Sequence, residues 1–265
     1  MSARSEIADY ISTAHDFADL AGAAILPHFR RRIAIENKAA AGGFDPVTVA
    51  DRAAERAISR ELARRFPDHG LEGEEYGQRN PDARMRWIVD PIDGTRAFIL
   101  GMPLWGTLIA LMDGSAPVIG MMDQPYTRER FWSGQRSSYF RGPDGKERRI
   151  KTRPCPSLAE AMFTTTDPHL FSSPKDQRGL KAIKERVRSV RYGGDCYAYC
   201  LLAAGMIDIV VETGLKSYDV AALIPIIERA GGRITTWEGG SAASGGRIVA
   251  AGDPRVHEEA LSLLA

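Results

Sequence analysis

A short apolar strand runs into an acidic turn in the stretch Trp87-Ile88-Val89-Asp90-Pro91-Ile92-Asp93-Gly94-Thr95. Its apolar half predicts a buried strand that carries Asp90 at its carboxyl end, where proline stops the strand. Asp93 follows three residues later, Gly94 lets a ligand approach the backbone closely, and Thr95 begins a predicted short helix. Two carboxylates beside the first amides of a helix suit a hard cation that bridges to a phosphate. The alternative is an ordinary turn after a strand, since Asp and Gly favour turns for local reasons.

Acidic residues elsewhere in the chain can join these two carboxylates. Each stands at the start or end of a predicted element: Asp51, Glu74 (in Gly73-Glu74-Glu75) and Asp219. Taken singly, each has a structural alternative, because acidic residues also favour the N-cap and first turn of a helix. Together they supply the carboxylates that two or three Mg²⁺ ions require, with Mn²⁺ as the other candidate ion. Without a metal such a cluster would repel itself, and the pKa values of its members would rise.

The composition excludes several classes of protein. Among 265 residues, 35 basic and 34 acidic side chains leave a net charge of +1, which gives no basic field for nucleic acid or an acidic membrane. No apolar run approaches the roughly 20 residues that a membrane-spanning helix needs. The N-terminal residues are too acidic for a signal peptide, and the three cysteines contain no CxxC pair. We therefore expect a globular cytoplasmic protein that binds neither nucleic acid nor membrane.

The pattern of elements changes near residue 150. Before it, amphipathic helices and short strands are predicted at 6–32, 51–66, 87–90, 104–112, 117–122, 131–133 and 139–141. After it, helices and strands alternate, at 178–188, 189–192, 196–205, 207–212, 219–231, 247–251 and from Pro254 onwards. The change predicts an α+β lobe over 1–150, with most of the metal ligands, and an α/β lobe over 151–265. Small residues at 39–43 predict a mobile loop, beside which Lys38 would approach a bound phosphate.

Four blocks of the sequence resemble, in order and spacing, the inositol monophosphatase superfamily. They span about residues 45–235 and consist of Asp51, Gly73-Glu74-Glu75, the segment 90–95 and Tyr218-Asp219-Val220-Ala221-Ala222. The resemblance implies a layered αβαβα sandwich. It also implies an Mg²⁺-dependent phosphatase that acts on small phosphate monoesters, and a homodimer, because related proteins commonly form one.

The resemblance further implies a role for each site residue. The metal ligands would be Glu74, Asp90, the Ile92 carbonyl, Asp93 and Asp219. Thr95, hydrogen-bonded to Asp51, would aim and activate the attacking water together with the catalytic Glu74. The amides of Gly94 and Thr95 would hold the phosphate. We expect direct attack of the activated water on phosphorus, without a phosphoenzyme.

Two departures from the common family pattern narrow the substrate. Ala97 stands where the family commonly has Asn, and Tyr218 where it commonly has Trp. Neither is a metal ligand. With Pro103-Leu104-Trp105-Gly106 and Gly193-Gly194-Asp195-Cys196-Tyr197-Ala198-Tyr199, the chain looks like the histidinol-phosphate phosphatases of this superfamily. Those enzymes release L-histidinol and phosphate in histidine biosynthesis.

Acidic residues of the second lobe are the candidates for recognising such a substrate. Histidinol phosphate carries an ammonium group and an imidazole, so its pocket should offer acidic acceptors. Asp195 and Glu212 are predicted to be those acceptors, and Asp219 to contact both substrate and metal. Asp195 also has a structural interpretation, as the N-cap of the helix predicted at 196–205. Glu212 closes an apolar strand, where an acid has no other explanation.

Two other functions stay open on the sequence. The same metal core would serve inositol phosphates, sugar phosphates or the 3′-phosphate of an adenine nucleotide, which only pocket residues such as Ala97, Asp195 and Tyr218 discriminate. A non-catalytic protein that binds a phosphate ligand on the same fold is the more remote alternative. It would be favoured by the loss of Thr95, Asp51 or a metal-binding acid, and all of these are present.

Overall fold

The computed structural model describes residues 3–38 and 44–264, so the loop predicted at 39–43 lies outside the described residues. The helices are α1 (Ala3–Ile25), α2 (Val49–Arg65), α3 (Thr95–Ile99), α4 (Pro174–Lys184), α5 (Asp195–Ala203), α6 (Ser217–Val220), α7 (Leu223–Ala230) and α8 (Pro254–Leu264). The strands are β1 (Ile35–Asn37), β2 (Pro46–Thr48), β3 (Gly70–Gly73), β4 (Gly77–Arg79), β5 (Met85–Asp93), β6 (Gly106–Asp113), β7 (Ala116–Gln124), β8 (Glu129–Ser133), β9 (Ser138–Arg141), β10 (Glu147–Ile150), β11 (Met162–Thr165), β12 (Ser189–Tyr192), β13 (Ile209–Leu215), β14 (Arg233–Thr236) and β15 (Gly246–Ala251).

The larger sheet has eight strands in the order β10-β9-β8-β7-β6-β5-β3-β4. Strands β3 and β5 run parallel, and the other neighbours run antiparallel. Helices α1 and α2 cover one face, because their apolar stripes, with Phe17 and Ile58, pack against Trp87, Ile109 and Met121 of the sheet. The apolar face of each helix therefore packs against the apolar side chains that alternate along the strands.

The second sheet has five strands in the order β12-β11-β13-β15-β14. Its outer face packs on α4 and α8, through residues such as Ile183 and Val256 against Ile209 and Val249. Its inner face contributes to a separate core that also contains residues of α5, α6 and α7 and the inner face of the eight-stranded sheet. The layers are thus α1/α2, sheet, α5–α7, sheet and α4/α8, which confirms the predicted αβαβα sandwich.

The central layer joins the two predicted lobes. Ile88, Leu108 and Met122 of the first sheet share one hydrophobic cluster with Val210 and Ile248 of the second. The division at residue 150 falls at the end of β10, the edge strand of the larger sheet. The assignment of 1–150 and 151–265 to separate lobes stays a prediction, and the shared core indicates that they depend on each other for stability.

Two helices predicted from the sequence have different bounds in the structure. The first, predicted to reach residue 32, ends at Ile25, because Pro27 cannot continue a helix and Arg30 adopts a left-handed conformation with φ of 59°. The helix predicted at 178–188 is α4, and it begins four residues earlier. Its start signal is Ser173, whose hydroxyl accepts a hydrogen bond from the amide of Asp176 at 3.1 Å, followed by proline in the first turn.

The helix predicted at 219–231 is two helices, α6 and α7, separated at Ala221–Ala222. Pro225 explains the break, because a proline ring inside a helix clashes with the carbonyl four residues earlier, here that of Ala221. In the second half of the chain, strands β11 and β14 were not predicted. No helix in the described ranges, 3–38 and 44–264, combines the length and apolar character needed to cross a membrane.

Candidate active site

Three carboxylates meet beside the turn that follows β5. One oxygen each of Asp90, Asp93 and Asp219 lies within 4.8 Å of the other two. In a regular strand, residues three apart point to opposite faces. The pairing of β5 with β6 shifts register between Asp90 and Asp93, and this irregularity lets both side chains reach the same site. Helix α6 brings Asp219 from the second lobe.

Burial makes this cluster unfavourable as bare carboxylates. It raises the pKa of Asp90 and Asp93 well above the ordinary value, and neighbouring carboxylates raise both further. Burial likewise raises the pKa of Asp219 to about 7. A cation would stabilise the ionised forms, and the donors are all oxygen atoms, as Mg²⁺ prefers. These residues therefore fit the metal that the sequence predicts.

Glu74 lies at the edge of the cluster and contacts a lysine. Its negative charge contributes to the raised pKa of Asp90. Lys38 Nζ lies 2.8 Å from Glu74 Oε1 and 2.7 Å from Glu75 Oε1. The lysine that was predicted to approach a phosphate thus forms ion pairs with the acidic wall of the site in this structure.

The loop that carries Glu74 is held by a residue that the sequence analysis missed. Glu55 of α2 accepts hydrogen bonds from the amides of Glu75 at 2.8 Å and Tyr76 at 3.0 Å. Its carboxylate lies so close that a Cβ on Gly73 would be 1.9 Å from Glu55 Oε1. The available signal was its spacing, because Glu55 follows Asp51 by four residues and so shares its face of the helix.

Asp51 and Thr95 are arranged differently from the prediction. Asp51 Oδ2 accepts from the amide and hydroxyl of Thr48, at 2.9 and 2.6 Å, and closes a capping box at the start of α2. Thr95 Oγ1 donates to the Ile92 carbonyl at 3.0 Å, so the expected donation to Asp51 is wrong for this structure. A hydroxyl can donate only one hydrogen bond, and Thr95 donates it to the carbonyl three residues back. Asp51 Oδ1 is buried and has no hydrogen-bond partner among the described residues.

Gly94 brings the turn that is predicted to bind phosphate close to Asp195. Gly94 has φ of 86°, a conformation that favours glycine, and a Cβ there would lie 3.0 Å from the Leu104 carbonyl oxygen and 3.1 Å from Asp195 Cγ. Gly194, rather than Asp195, is the N-cap residue of α5, and no side chain caps that helix in the usual way. Instead the amide of Cys196 donates to Asp93 Oδ2 at 2.6 Å. The N-cap interpretation of Asp195 is therefore wrong.

The predicted specificity residues share one cleft with the turn Asp93-Gly94-Thr95. The cleft has a volume of about 240 Å³ and is lined by residues from before and after position 150. Its lining includes charged, polar and aromatic residues of both: Asp93, Gly94, Thr95, Arg96, Thr166, Asp195, Tyr199, Glu212 and Asp219. Arg96 Nη2 donates to the carbonyl of Phe44 at 2.8 Å and so holds one wall of the cleft.

Glu212 is a buried acid in this cleft. Its Oε1 accepts from the amide of Thr166 at 2.9 Å and from the Thr166 hydroxyl at 2.6 Å. Burial raises its pKa to about 7, and burial raises that of Asp195 to about 6. The hydroxyl of Tyr199, which the sequence analysis did not select, is buried there without a hydrogen-bond partner among the described residues. The cleft thus offers acidic acceptors and an unused hydroxyl.

Comparison with known proteins agrees with this architecture. The sequence profile of the inositol monophosphatase family matches residues 6–265. The chain belongs to the inositol monophosphatase family.

It is 40% identical to the chloroplastic bifunctional phosphatase IMPL2 of Arabidopsis thaliana, over 98% of this chain and 76% of that protein. It is 34% identical to a histidinol-phosphatase of Mycobacterium tuberculosis, over 83% of this chain and 84% of that protein. A solved inositol monophosphatase of Zymomonas mobilis is 42% identical, with a TM-score of 0.86, and covers 100% of this chain and 99% of its own.

Membership of the inositol monophosphatase family makes this protein a phosphatase of small phosphate monoesters. The family generally uses Mg²⁺, and the Asp90, Asp93 and Asp219 cluster could bind such an ion. These findings leave the substrate unassigned, because the similar proteins include both histidinol-phosphatases and inositol monophosphatases.

Proposed function

We propose that this phosphatase hydrolyses L-histidinol phosphate to L-histidinol and phosphate. The observation that carries the proposal is the position of two acids, the half-buried Asp195 and the buried Glu212, in the same cleft as Asp93 and Thr95. A bound ammonium or imidazolium group would favour the ionised forms of these acids, which burial otherwise disfavours. An inositol ring carries no positive charge and has no need of them.

The similar proteins support this choice in part. The relative from Mycobacterium tuberculosis is named a histidinol-phosphatase. The alternative, an inositol-1-monophosphatase or another small sugar or nucleotide monophosphatase, is supported by the solved structure from Zymomonas mobilis, which is described as an inositol monophosphatase.

The reaction requires a water oxygen to bond to phosphorus while the bond to the ester oxygen breaks and the departing alkoxide takes a proton. We propose that Glu74, Asp90, Asp93, Asp219 and the Ile92 carbonyl hold Mg²⁺, two or three ions in the active complex. When bound, Mg²⁺ would neutralise phosphate charge and lower the pKa of a water. The amides of Gly94 and Thr95 would donate to phosphate oxygens.

The remaining residues of the turn would orient the water. The Thr95 hydroxyl donates its hydrogen bond to the Ile92 carbonyl, and its oxygen keeps lone pairs that can accept a hydrogen bond from water. Asp51 Oδ1 is a second acceptor without a partner among the described residues. Two fixed acceptors would aim the water in line with the ester oxygen.

Phosphate release from histidinol phosphate and from inositol 1-phosphate, each with Mg²⁺, tests the proposal, with chelated enzyme as the blank. We expect kcat/KM to favour histidinol phosphate by about 100-fold or more, which is about 2.7 kcal/mol of discrimination. A preference for the inositol ester would overturn the histidinol assignment and leave the family assignment standing.

Variants of the two acids test the recognition directly. Glu212→Gln and Asp195→Asn should each raise KM for histidinol phosphate by about tenfold, because one charge-assisted contact is lost. Turnover of inositol 1-phosphate should change little. Glu185→Gln is the matched control, because Glu185 is an exposed residue outside the cleft. Equal losses on both substrates would indicate a structural role instead.

Two further properties stay proposals. We propose a homodimer, which light scattering on the eluting protein would test, and a cytoplasmic location, which fractionation of the source cells would test.

A further inference from the structure

A row of charged residues crosses the eight-stranded sheet under α1. Asp123 of β7 lies directly opposite Arg130 of β8, and Arg130 lies directly opposite Arg141 of β9. Directly opposed residues of antiparallel strands point to the same face. Arg130 is buried, with its Nε 2.6 Å from Asp123 Oδ1 and its Nη2 2.7 Å from Asp19 Oδ1 of α1. One arginine therefore uses both nearby carboxylates.

Arg141 has no ion pair of its own among the described residues, and the nearby Asp123, whose charge acts on it, is already paired with Arg130. Arg141 stands opposite Arg130, and like charges in that position repel each other. Arg128, in the β7–β8 turn with φ of 60°, adds a third guanidinium. Neither Arg128 nor Arg141 forms a side-chain hydrogen bond or ion pair with any residue that the structure describes. All three arginines line a cavity of about 470 Å³, together with Asp19 and Asp123.

The imidazole of His15 adds no positive charge to this network. Its Nδ1 lies 3.0 Å from Arg130 Nη1. Burial, together with Arg130 and Arg141, lowers the pKa of His15 to about 4, so the ring is neutral at pH 7. With three arginines against two aspartates, the cavity keeps one excess positive charge.

This cavity is distinct from the active site. Asp123 and Arg130 share their strand faces with Met121 and Trp132, which pack toward α1 and α2. Asp90 shares its face of β5 with Ile88, which packs in the central layer on the opposite side of the sheet.

We propose that the cavity under α1 is a second anion-binding site, which takes the phosphate or carboxylate group of a small molecule. Arg128 and Arg141 would supply the contacts, because a guanidinium group matches both oxyanions with two parallel hydrogen bonds. Arg130, fixed by Asp19 and Asp123, forms the rigid wall between the strands. Binding would also relieve the repulsion between Arg130 and Arg141.

Calorimetric titration of the metal-free protein, prepared with a chelating resin, tests this site with inorganic phosphate and with acetate. Without metal, the acidic cluster of the active site repels phosphate. The heat of binding therefore comes from the cavity under α1. We expect saturable binding of at least one of the two anions, and the stronger one identifies the group recognised. Arg141→Gln should weaken that binding by about tenfold, or about 1.4 kcal/mol, and Arg128→Gln should weaken it too.

Arg136→Gln is the matched control, because Arg136 is exposed and lies outside the cavity. It should bind as the unchanged protein does. Thermal unfolding without phosphate shows whether Arg141→Gln is folded, and its midpoint should not fall, because a repulsion is removed. Saturation by neither anion would overturn the proposal, as would equal binding by Arg141→Gln and Arg136→Gln, or an equal effect of chloride at the same ionic strength.

Discussion

At the scale of single residues, the acidic cluster destabilises the folded protein when its carboxyl groups are ionised and no metal is bound. Burial is the chief cause that raises the pKa of Asp219 from its ordinary value of 3.8 to about 7 in the folded protein. The carboxyl therefore holds its proton more tightly in the folded state. Its cost to stability is absent below pH 3.8, grows as the pH rises toward about 7, and is complete above that value.

Asp219→Asn should consequently stabilise the metal-free protein at pH 8 and have little effect at pH 4. We expect a gain on the order of 2 kcal/mol at the higher pH, because the amide cannot ionise. Mg²⁺-dependent activity should be lost. Urea unfolding in chelator at both pH values measures the stability. An unchanged or lower stability of the variant at pH 8 would contradict the assigned self-repulsion.

Thr95 is the residue on which the proposed orientation of water depends. Thr95→Ala should lower kcat by about 10²–10⁴, since it removes one acceptor for the attacking water. The Mg²⁺ concentration for half-maximal activity should stay nearly constant. Thr95→Ser is the control, because it keeps the hydroxyl and should retain most turnover. Full turnover by the alanine variant would remove Thr95 from the mechanism.

At the scale of elements, helix α2 serves the site through two buried acids on one face. Asp51 caps the helix with Thr48, and Glu55 fixes the loop that carries Glu74. The loop amides would otherwise be unpaired, which costs about 1–3 kcal/mol for each buried group. The helix therefore positions Glu74, a proposed metal ligand that lies on another element.

Glu55→Gln tests this positioning role. A glutamine side chain has one acceptor oxygen, whereas two backbone amides donate to Glu55. One of these amides would therefore face the NH₂ group of the glutamine, which cannot accept its hydrogen bond. We expect a loss of about 1–3 kcal/mol in stability and a rise of about 10-fold or more in the Mg²⁺ needed for activity. Glu61→Gln is the control in the same helix, because it removes ion pairs with Arg64 and Arg65 that lie outside the site, and it should leave the Mg²⁺ dependence unchanged. Loss of stability at constant Mg²⁺ dependence would show that Glu55 only supports the fold.

At the scale of the whole molecule, the site forms only when the two sheets pack on the central layer of helices. Asp93, Gly94 and Thr95 lie at the end of β5 in the larger sheet. Glu212 lies in β13 of the smaller sheet, and Asp219 lies in α6 of the central layer. The packing is tight at Gly120 of β7, where a Cβ would lie 1.8 Å from the carbonyl oxygen of Ala222, just after α6. The position of the Asp219 helix thus depends on a glycine in the opposite sheet.

Gly120→Ala should therefore disturb stability and activity together. Backbone must move to admit the methyl group, so we expect a loss of about 1–3 kcal/mol or more in unfolding free energy and a weaker response to Mg²⁺. Gly240→Ala is the control, because a Cβ there meets nothing closer than 3.4 Å. Thermal unfolding and Mg²⁺ titration measure both effects. If Gly120→Ala were as stable as the control, close packing of β7 against Ala222 would not be required for stability.

The sequence by itself predicted most of the helices and strands and selected the acidic residues. Helical and strand periodicity indicates the elements, and a strand that ends in Asp90-Pro91-Ile92-Asp93-Gly94-Thr95 indicates the site. The αβαβα layers were implied by the resemblance of four sequence blocks to the inositol monophosphatases, not by periodicity. At Pro225 the apolar pattern continues across a proline that breaks the helix, so the predicted helix was too long.

Only the tertiary structure decided which acceptor each donor uses and what lies across each strand. Thr95 donates to Ile92 rather than Asp51, and Glu55 holds a loop twenty residues away. Arg141 faces Arg130 and forms no ion pair of its own within 3–38 and 44–264. The physical reason is that hydrogen bonds and charges select partners by distance in space. Chain order does not encode that distance once two sheets and three helical layers have packed together.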